Sequence, residues 1–445
     1  MKPTPINLNT VYRVLFLLLI PALVFNFEIN LAGVGASGEE RIGYAGARDD
    51  NFDFGSAQAV GIKLFDILWL ILISFLVASF VKQKLNIFIP YKSIIKSYFF
   101  FLLVCLISIA INFNLYTSSQ FIVLCLYFLK LVQVLFIPFF CSLFFLYGGR
   151  SSQILFVSAL TVLAASLTGI ANSIIIKNYE LYLFSSIIPD RVQFYGIILL
   201  IVAYISIHFT QTINNKNNNA ILIAAFILGV ISIFMCEKRT LLMGLAVLFT
   251  YAIFIFRTNT NTKFIMLSLF SLGIFMLPFV VDYESTFNRD SIDITAGLGP
   301  KWAEAINSSA LAGMESGGLD YSFTERLAKT IFGIQLIQEN FFIGTGFWGA
   351  PYAHDFIPDN GIIQLWVETG LFGIFFFMLF LYSTIKKSKN NNKNSLFTKA
   401  RKVMPLIVLT LSLTANTFYM FNMLSIYLII IISWSKGFSE KIKLQ

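Results

Sequence analysis

Long apolar runs recur from one end of this chain to the other, separated by short basic or Asn-rich segments. Each run approaches the ~20 residues that carry an α-helix across the hydrocarbon core. The pattern predicts about 12 spans, near 11–33, 60–81, 97–115, 120–147, 153–176, 192–211, 220–236, 240–256, 264–282, 361–385, 403–419 and 420–435. The last two are short and joined by a tight turn around Phe421 and Asn422. Two stretches break the apolar pattern. Residues 34–56 form a Gly- and charge-rich loop without periodicity, and residues 283–360 form one long polar segment. Within the long segment, Leu327, Ile331, Ile334 and Ile337 fall at helical spacing. They predict an amphipathic helix over 323–340, with Thr324 as an N-cap and a Gly344-Thr345-Gly346 turn behind it. The polar segment then runs through His354, Asp355, Asp359 and Asn360 directly into an apolar helix that carries Glu368, Gly370 and Gly373.

Composition agrees with the pattern. Of 445 residues, 57% are hydrophobic and 12% charged, and Phe alone contributes 49; the mean hydropathy is +0.78. A soluble domain carries about twice that share of charge. The expected fold is an all-α polytopic membrane helix bundle with one large helical extracytoplasmic loop. Residues 1–282 hold the first nine spans, 283–360 the large periplasmic loop, and 361–445 the last three spans and a cytoplasmic tail. The run over 11–31 resembles a signal peptide but lacks a small-x-small site close behind it, so it is expected to be a retained first span.

The net charge of +9 might point to nucleic acid, but its placement does not. Lys82, Lys84, Lys92, Lys96, Arg150, Lys216, Arg257, Lys263 and the basic residues of 386–402 and 436–443 fall in alternate loops. The positive-inside rule places those loops, and both termini, in the cytoplasm. Nearly all acidic residues fall on the other side, with Asp66 and Glu440 as exceptions. The basic excess therefore reports topology and contact with anionic membrane lipids, not a nucleic-acid partner. The cysteines, Cys105, Cys125, Cys141 and Cys236, all lie in apolar runs and read as packing residues.

Candidate chemistry collects at the outer side. Asp359 alone reads as a helix cap. Clustered with His354, Asp355 and Asn360, it also reads as part of a site that orients or deprotonates an acceptor hydroxyl. Lys238 and Arg239 join the seventh and eighth spans on the outer face, where basic residues are disfavoured. Either they bind an anion, such as a pyrophosphate, or they pair with Glu237 or another acid. Arg326, in the first turn of the loop helix, opposes the helix dipole and so predicts an anionic partner, either a protein carboxylate or a substrate phosphate; Arg289, a further candidate for the pyrophosphate, precedes it. Arg191 carries the same two readings, with Asp190 beside it as the bland partner. Lys130 lies mid-span, held either by a substrate cavity or by a carboxylate such as Asp66. His208 reads as structural. The chain has no phosphate-loop, HExxH or Asp-x-Asp motif. An outward-facing transferase would therefore use a donor that carries its own leaving group, with basic side chains in place of a metal.

At these residues the chain resembles the O-antigen ligase/polymerase superfamily of bacterial envelope enzymes. The resemblance rests on Arg239 followed by Gly244, on Arg326 with its helix and the closing NFFIGTGFWG, and on Asn360, Gly370 and Gly373. It implies a GT-C-like membrane glycosyltransferase of the inner membrane, metal-independent, without a cofactor and inverting. The implied substrates are undecaprenyl-pyrophosphate-linked glycans, and a chain-length regulator protein is an open partner. In that family a span-junction arginine and a loop arginine take the pyrophosphate, and the resemblance implies that role for Arg239 and Arg326. In its lipid A-core ligases, a histidine precedes the motif's Asn. Here Asp359 stands there, with histidine displaced to His354. That departure favours a Wzy-type polymerase over a ligase and leaves open which of the two moves the proton. Glu368, deeper in the helix, would orient the acceptor or pair with an arginine. A transporter is the rival from another class, although the chain shows no internal repeat.

Overall fold

The computed structural model describes residues 7–25, 28–29, 62–83, 92–116, 118–176, 216–235, 244–247, 321–347, 360–385, 396–412 and 421–433. These residues are helical almost throughout. The elements are α1 (Leu8–Phe25), a two-residue strand pair β1 (Glu28–Ile29) and β2 (Ile62–Lys63), α2 (Leu64–Gln83), α3 (Lys92–Ile111), α4 (Ser118–Val134) and α5 (Ile137–Leu146). There follow α6 (Ser151–Ile176), α7 (Lys216–Met235), α8 (Tyr321–Glu339), α9 (Gly361–Ile385), α10 (Leu396–Ser412) and α11 (Phe421–Ser433). Among the described residues, six segments are long and apolar enough to cross a bilayer, and shorter apolar helices accompany them. The protein is a polytopic membrane protein. The predicted spans near 192–211, 240–256 and 264–282 lie wholly or largely outside the described residues.

Several boundaries differ from the sequence expectation, each for a local reason. The first span stops at Phe25, because Glu28 and Ile29 pair antiparallel with Lys63 and Ile62 and tie the start of α2 to the end of α1. The span expected over 120–147 is broken into α4 and α5 at Leu135–Phe136. Pro138 explains the break: it has no N–H to give and its ring would meet the carbonyl of Val134 in an unbroken helix. It sits instead in the first turn of α5, where that loss is tolerated. Phe421 and Asn422 begin α11 and do not form a turn.

Although short, α11 is the hub. Every residue from Met423 to Ser433 is buried, as expected of a helix apolar on all sides. Tyr427 reaches α9 by a hydroxyl hydrogen bond with Thr384 and a ring contact with Phe380. Ser151 at the start of α6 donates to the Ser433 carbonyl at 2.6 Å. On the far side, Tyr12 of α1 donates to the Phe140 carbonyl of α5 at 3.1 Å and packs edge-on against Phe75 and Tyr147.

The most extensive helix pair is α3 with α9. The helices run antiparallel: Ser97 meets Ser383 at 3.2 Å at one end, and Ser108 meets the Glu368 carbonyl at 2.7 Å at the other. Between these ends the rings of Phe100 and Phe376, Phe101 and Phe377, and Tyr98 and Phe380 lie with centroids 5.3, 5.2 and 4.9 Å apart. Small hydroxyl residues at the ends bring the backbones close, and aromatic pairs fill the middle, a division expected where lipid gives no hydrophobic drive for association. Phe99, Leu103, Leu106, Phe372, Phe375 and Leu379 point outward. In water that would be an exposed apolar patch; in a bilayer it is the lipid-facing surface.

Two glycines, Gly344 and Gly370, hold α9 against the turn that follows α8. Both have positive φ, +78° and +66°. A Cβ on Gly344 would stand 2.5 Å from the Glu368 carbonyl carbon, and one on Gly370 would overlap the Phe342 carbonyl. Gly148 also has positive φ, +81°, but a Cβ there would meet nothing within 4 Å. Gly148→Ala is therefore expected to lose only the conformational term, about 1 kcal/mol. Gly344→Ala and Gly370→Ala add a backbone collision and should lower the thermal midpoint in lipid nanodiscs by clearly more. Equal shifts for all three variants would contradict this account.

Candidate functional site

The region where the polar segment meets α9 is built on a broken helix. In an unbroken α9, Leu371 N–H would donate to the Val367 carbonyl and Phe372 N–H to that of Glu368. Gly370 takes the backbone out of the helical region, at φ +66° and ψ −169°, and both bonds are exchanged for others. Leu371 N–H donates to the Phe341 carbonyl at 2.9 Å and Phe372 N–H to that of Phe342 at 3.4 Å. The Val367 carbonyl accepts from Thr345 N–H at 2.7 Å and from the Thr345 hydroxyl at 3.1 Å. The Glu368 carbonyl accepts from the Ser108 hydroxyl. These four backbone groups released by the break thus find partners in the Asn340–Phe347 turn or in α3, as groups shielded from water must.

The end of α3 ties the same turn down. Ser108 Oγ lies 3.1 Å from the Ile343 carbonyl, Asn112 Nδ2 donates to the Gly344 carbonyl at 3.4 Å, and the Tyr116 hydroxyl donates to the Phe347 carbonyl at 2.8 Å. Gly346, at φ +107°, has no side chain because Tyr116 occupies that space. Trp366 Nε1 donates to the Phe341 carbonyl at 3.3 Å. The sequence motifs Gly344-Thr-Gly346 and Gly370-x-x-Gly373 are therefore two halves of one interlock.

Asn360 opens α9 as its N-cap. Its Oδ1 accepts from Ile362 N–H at 2.9 Å and Ile363 N–H at 3.2 Å, and its carbonyl accepts from Gln364 N–H at 2.9 Å. The cap considered for Asp359 is thus made by the next residue. Glu368 is fully buried, and its Oε1 accepts from Gln364 Nε2 at 2.9 Å. That amide, one turn above it, is one partner of Glu368; the arginines considered from the sequence have their side chains outside the described residues.

For α8, the sequence placed the helix correctly and its buried face only in part. Phe332, Leu336 and Ile337 pack on Val367, Ile363 and Trp366 of α9, whereas Ile334 points outward. Since α8 begins at Tyr321, Thr324 lies within it and is not its cap, and Arg326 lies beyond the first turn. The dipole argument for an anionic partner of Arg326 therefore does not apply. The side chain of Arg326 lies outside the described residues, as do Arg191, Lys238, Arg239, Arg289, His354 and Asp359. Of the candidate site residues, Asn360 and Glu368 are brought onto one face of α9. Sequence reasoning missed Gln364, Ser108, Asn112 and Tyr116. The four-residue spacing of Asn360, Gln364 and Glu368 was the available signal for the first of these.

Lys130 is paired with Asp66, which also accepts from Gln133 Nε2 at 3.2 Å. Of the two holders considered for Lys130, the described one is the carboxylate. Among the described residues, Cys105 and Cys141 are buried and Cys125 is exposed, so packing accounts for two of the cysteines placed.

The fold and this junction define a polytopic membrane protein with a capped, broken helix whose buried polar groups lie along one face. Residues 224–378 match the Wzy_C family model, described as O-antigen ligase. The match supports the resemblance drawn from the sequence, and it runs from within α7 through α8 and the turn into α9. Most of the interlock falls inside it, while Ser108, Asn112 and Tyr116 of the α3 region fall outside. No curated protein matches the chain.

Two outcomes are expected from these contacts. Asn360→Ala should cost about 1 kcal/mol of stability and Asn360→Asp much less, because aspartate caps as well as asparagine; thermal unfolding in nanodiscs reads the difference. Asp66→Leu should cost roughly 1–3 kcal/mol by removing the carboxylate that accepts from both Lys130 and Gln133, whereas Asp66→Leu with Lys130→Met should return most of that loss. A double variant no more stable than the single one would show that the pair is not the main role of either residue.

Proposed function

We propose that the chain is an integral-membrane glycosyltransferase, a Wzy-type polymerase of O-antigen or a related surface polysaccharide. The observation that carries the glycan-transfer reading is the family match over 224–378, whose Asn360 caps α9 and whose Gly370 breaks it; Asp359 in the place of the ligases' histidine is what favours the polymerase. The proposed enzyme crosses the bacterial inner membrane with about 12 spans and both termini in the cytoplasm, its site facing the periplasm. Its substrates are undecaprenyl-pyrophosphate-linked glycans.

In this mechanism the acceptor sugar's hydroxyl oxygen attacks the donor's anomeric carbon. The bond from that carbon to the pyrophosphate oxygen breaks with inversion. The hydroxyl proton passes to Asp359 or His354. The departing pyrophosphate takes the bonding pair, and Arg239 and Arg326 offset its charge, with Arg191, Lys238 and Arg289 as further basic groups. This needs no metal, since guanidinium groups can present paired donors to phosphate oxygens.

Transfer of finished polymer to lipid A-core, the ligase reaction, is the second reading. The description of the matching family model favours it, and Asp359 in the place of the ligases' histidine speaks against it.

Purified protein in nanodiscs, given lipid-linked repeat units, is expected to make a ladder of longer glycans. Arg239→Ala and Arg326→Ala should each reduce that activity about a hundredfold or more at normal expression. Full polymerisation in both variants would overturn the proposed mechanism. Gene deletion separates the two readings: loss of a polymerase leaves single-repeat lipopolysaccharide, and loss of a ligase leaves bare core with polymer retained on its lipid carrier.

A further inference from the structure

Asn360, Gln364 and Glu368 succeed one another at four-residue intervals along the first half of α9, one polar face running from the mouth into the bundle. Asn360 is committed to the helix cap. Gln364 is 1% exposed and Glu368 0%. Gln364 gives its amide N–H to Glu368, yet its Oε1 is buried and, among the described residues, has no hydrogen-bond partner. An unmatched acceptor in a bundle interior is costly and calls for a reason. Turning the amide over would exchange the N–H contact to Glu368 Oε1 for one between Gln364 Oε1 and an oxygen of Glu368. The carboxylate therefore fixes the amide so that its open end can only accept.

That polarity selects the ligand. A phosphate or carboxylate brings only acceptors and is repelled. A hydroxyl brings the missing donor, and out of contact with water such a bond is stronger than at a surface. We propose that Gln364, oriented by Glu368, is a positioning residue for the acceptor glycan and takes a hydrogen bond from one of its hydroxyls. The proposal rests on the glycan-transfer reading above and refines it. The α9 face receives hydroxyls, and the arginines receive the pyrophosphate. Glu368 thus acts through Gln364. Transfer then depends on the acceptor being drawn in against α9, away from bulk water.

A trapped water would satisfy the same atom, and the experiment separates the two sources. The full chain in nanodiscs is given lipid-linked repeat unit as donor. The acceptor is a repeat-unit glycoside on a short alkyl chain, which has no pyrophosphate and cannot itself donate. Gln364→Met with Glu368→Met removes both members of the Gln364–Glu368 hydrogen bond at once and leaves no stranded carboxylate. The double variant should melt within about 2 °C of wild type or higher. Its KM for the acceptor should rise roughly tenfold or more, the scale of one lost polar contact, with KM for the donor unchanged. An unchanged acceptor KM in a folded variant would mean that water occupies the position, and would overturn the proposal. A melting point far below wild type would assign the pair to the fold alone and would also overturn it. Wild-type protein with no transfer to any lipid-linked glycan would instead be the failure of the glycan-transfer reading, and the proposal would fall with it.

Discussion

A helix that breaks inside a membrane protein releases backbone groups that water cannot reach. Each would cost several kcal/mol if left unpaired in hydrocarbon. In this protein the break at Gly370 is resolved by exchange. The turn after α8 accepts from Leu371 and Phe372 and donates to Val367, and Ser108 of α3 donates to Glu368. The exchange needs very close approach of two backbones, so both Gly344 and Gly370 must lack side chains. Much of the architecture around the mouth follows from this constraint. The α8 helix is held against α9 because the turn behind it is locked, and α3 lies along α9 because its end supplies the donors.

The interlock gives α9 two different halves. From Gly370 onward the helix has Phe372, Phe375 and Leu379 facing outward, as a lipid-facing span does. Before Gly370 it has a capped start, an apolar face on α8 and a polar face directed inward. A single straight helix would carry one set of faces through both environments. The break lets the upper half be oriented by α8 and the turn, and the lower half by α3 and the buried α11. The polar side chains before the break are then held by contacts with one another, while α8 and the turn fix the helix that carries them.

The Asp66–Lys130–Gln133 cluster is a second polar feature of the bundle. It joins α2 to α4 close to where Pro138 interrupts the α4–α5 crossing. A broken helix relies on its neighbours to set its direction, and an ion pair with an amide partner fixes the register of α4 against α2. Trp69, one turn along α2 from Asp66, adds a bond from its Nε1 to the Gln133 carbonyl at 3.4 Å. Such a pair adds specificity of packing more than net stability.

Apolar run length was enough to mark this chain as a polytopic helical membrane protein, because crossing a bilayer sets a length that few other structures need. Run length also placed α9 to the residue, and apolar spacing found α8. The glycine pairs were visible as motifs, and Asn360 stood at a helix start. What the sequence could not contain was which partner each would choose. Gly344 and Gly370 are far enough apart in the chain that only packing joins them, and Ser108 comes from a distant helix. The cap went to Asn360 over Asp359, Ile334 turned outward while Phe332 and Leu336 turned in, and Lys130 went to Asp66. Periodicity and composition are local properties and were readable residue by residue. The choice among chemically equivalent partners depends on distance in three dimensions, and only the folded bundle decided it.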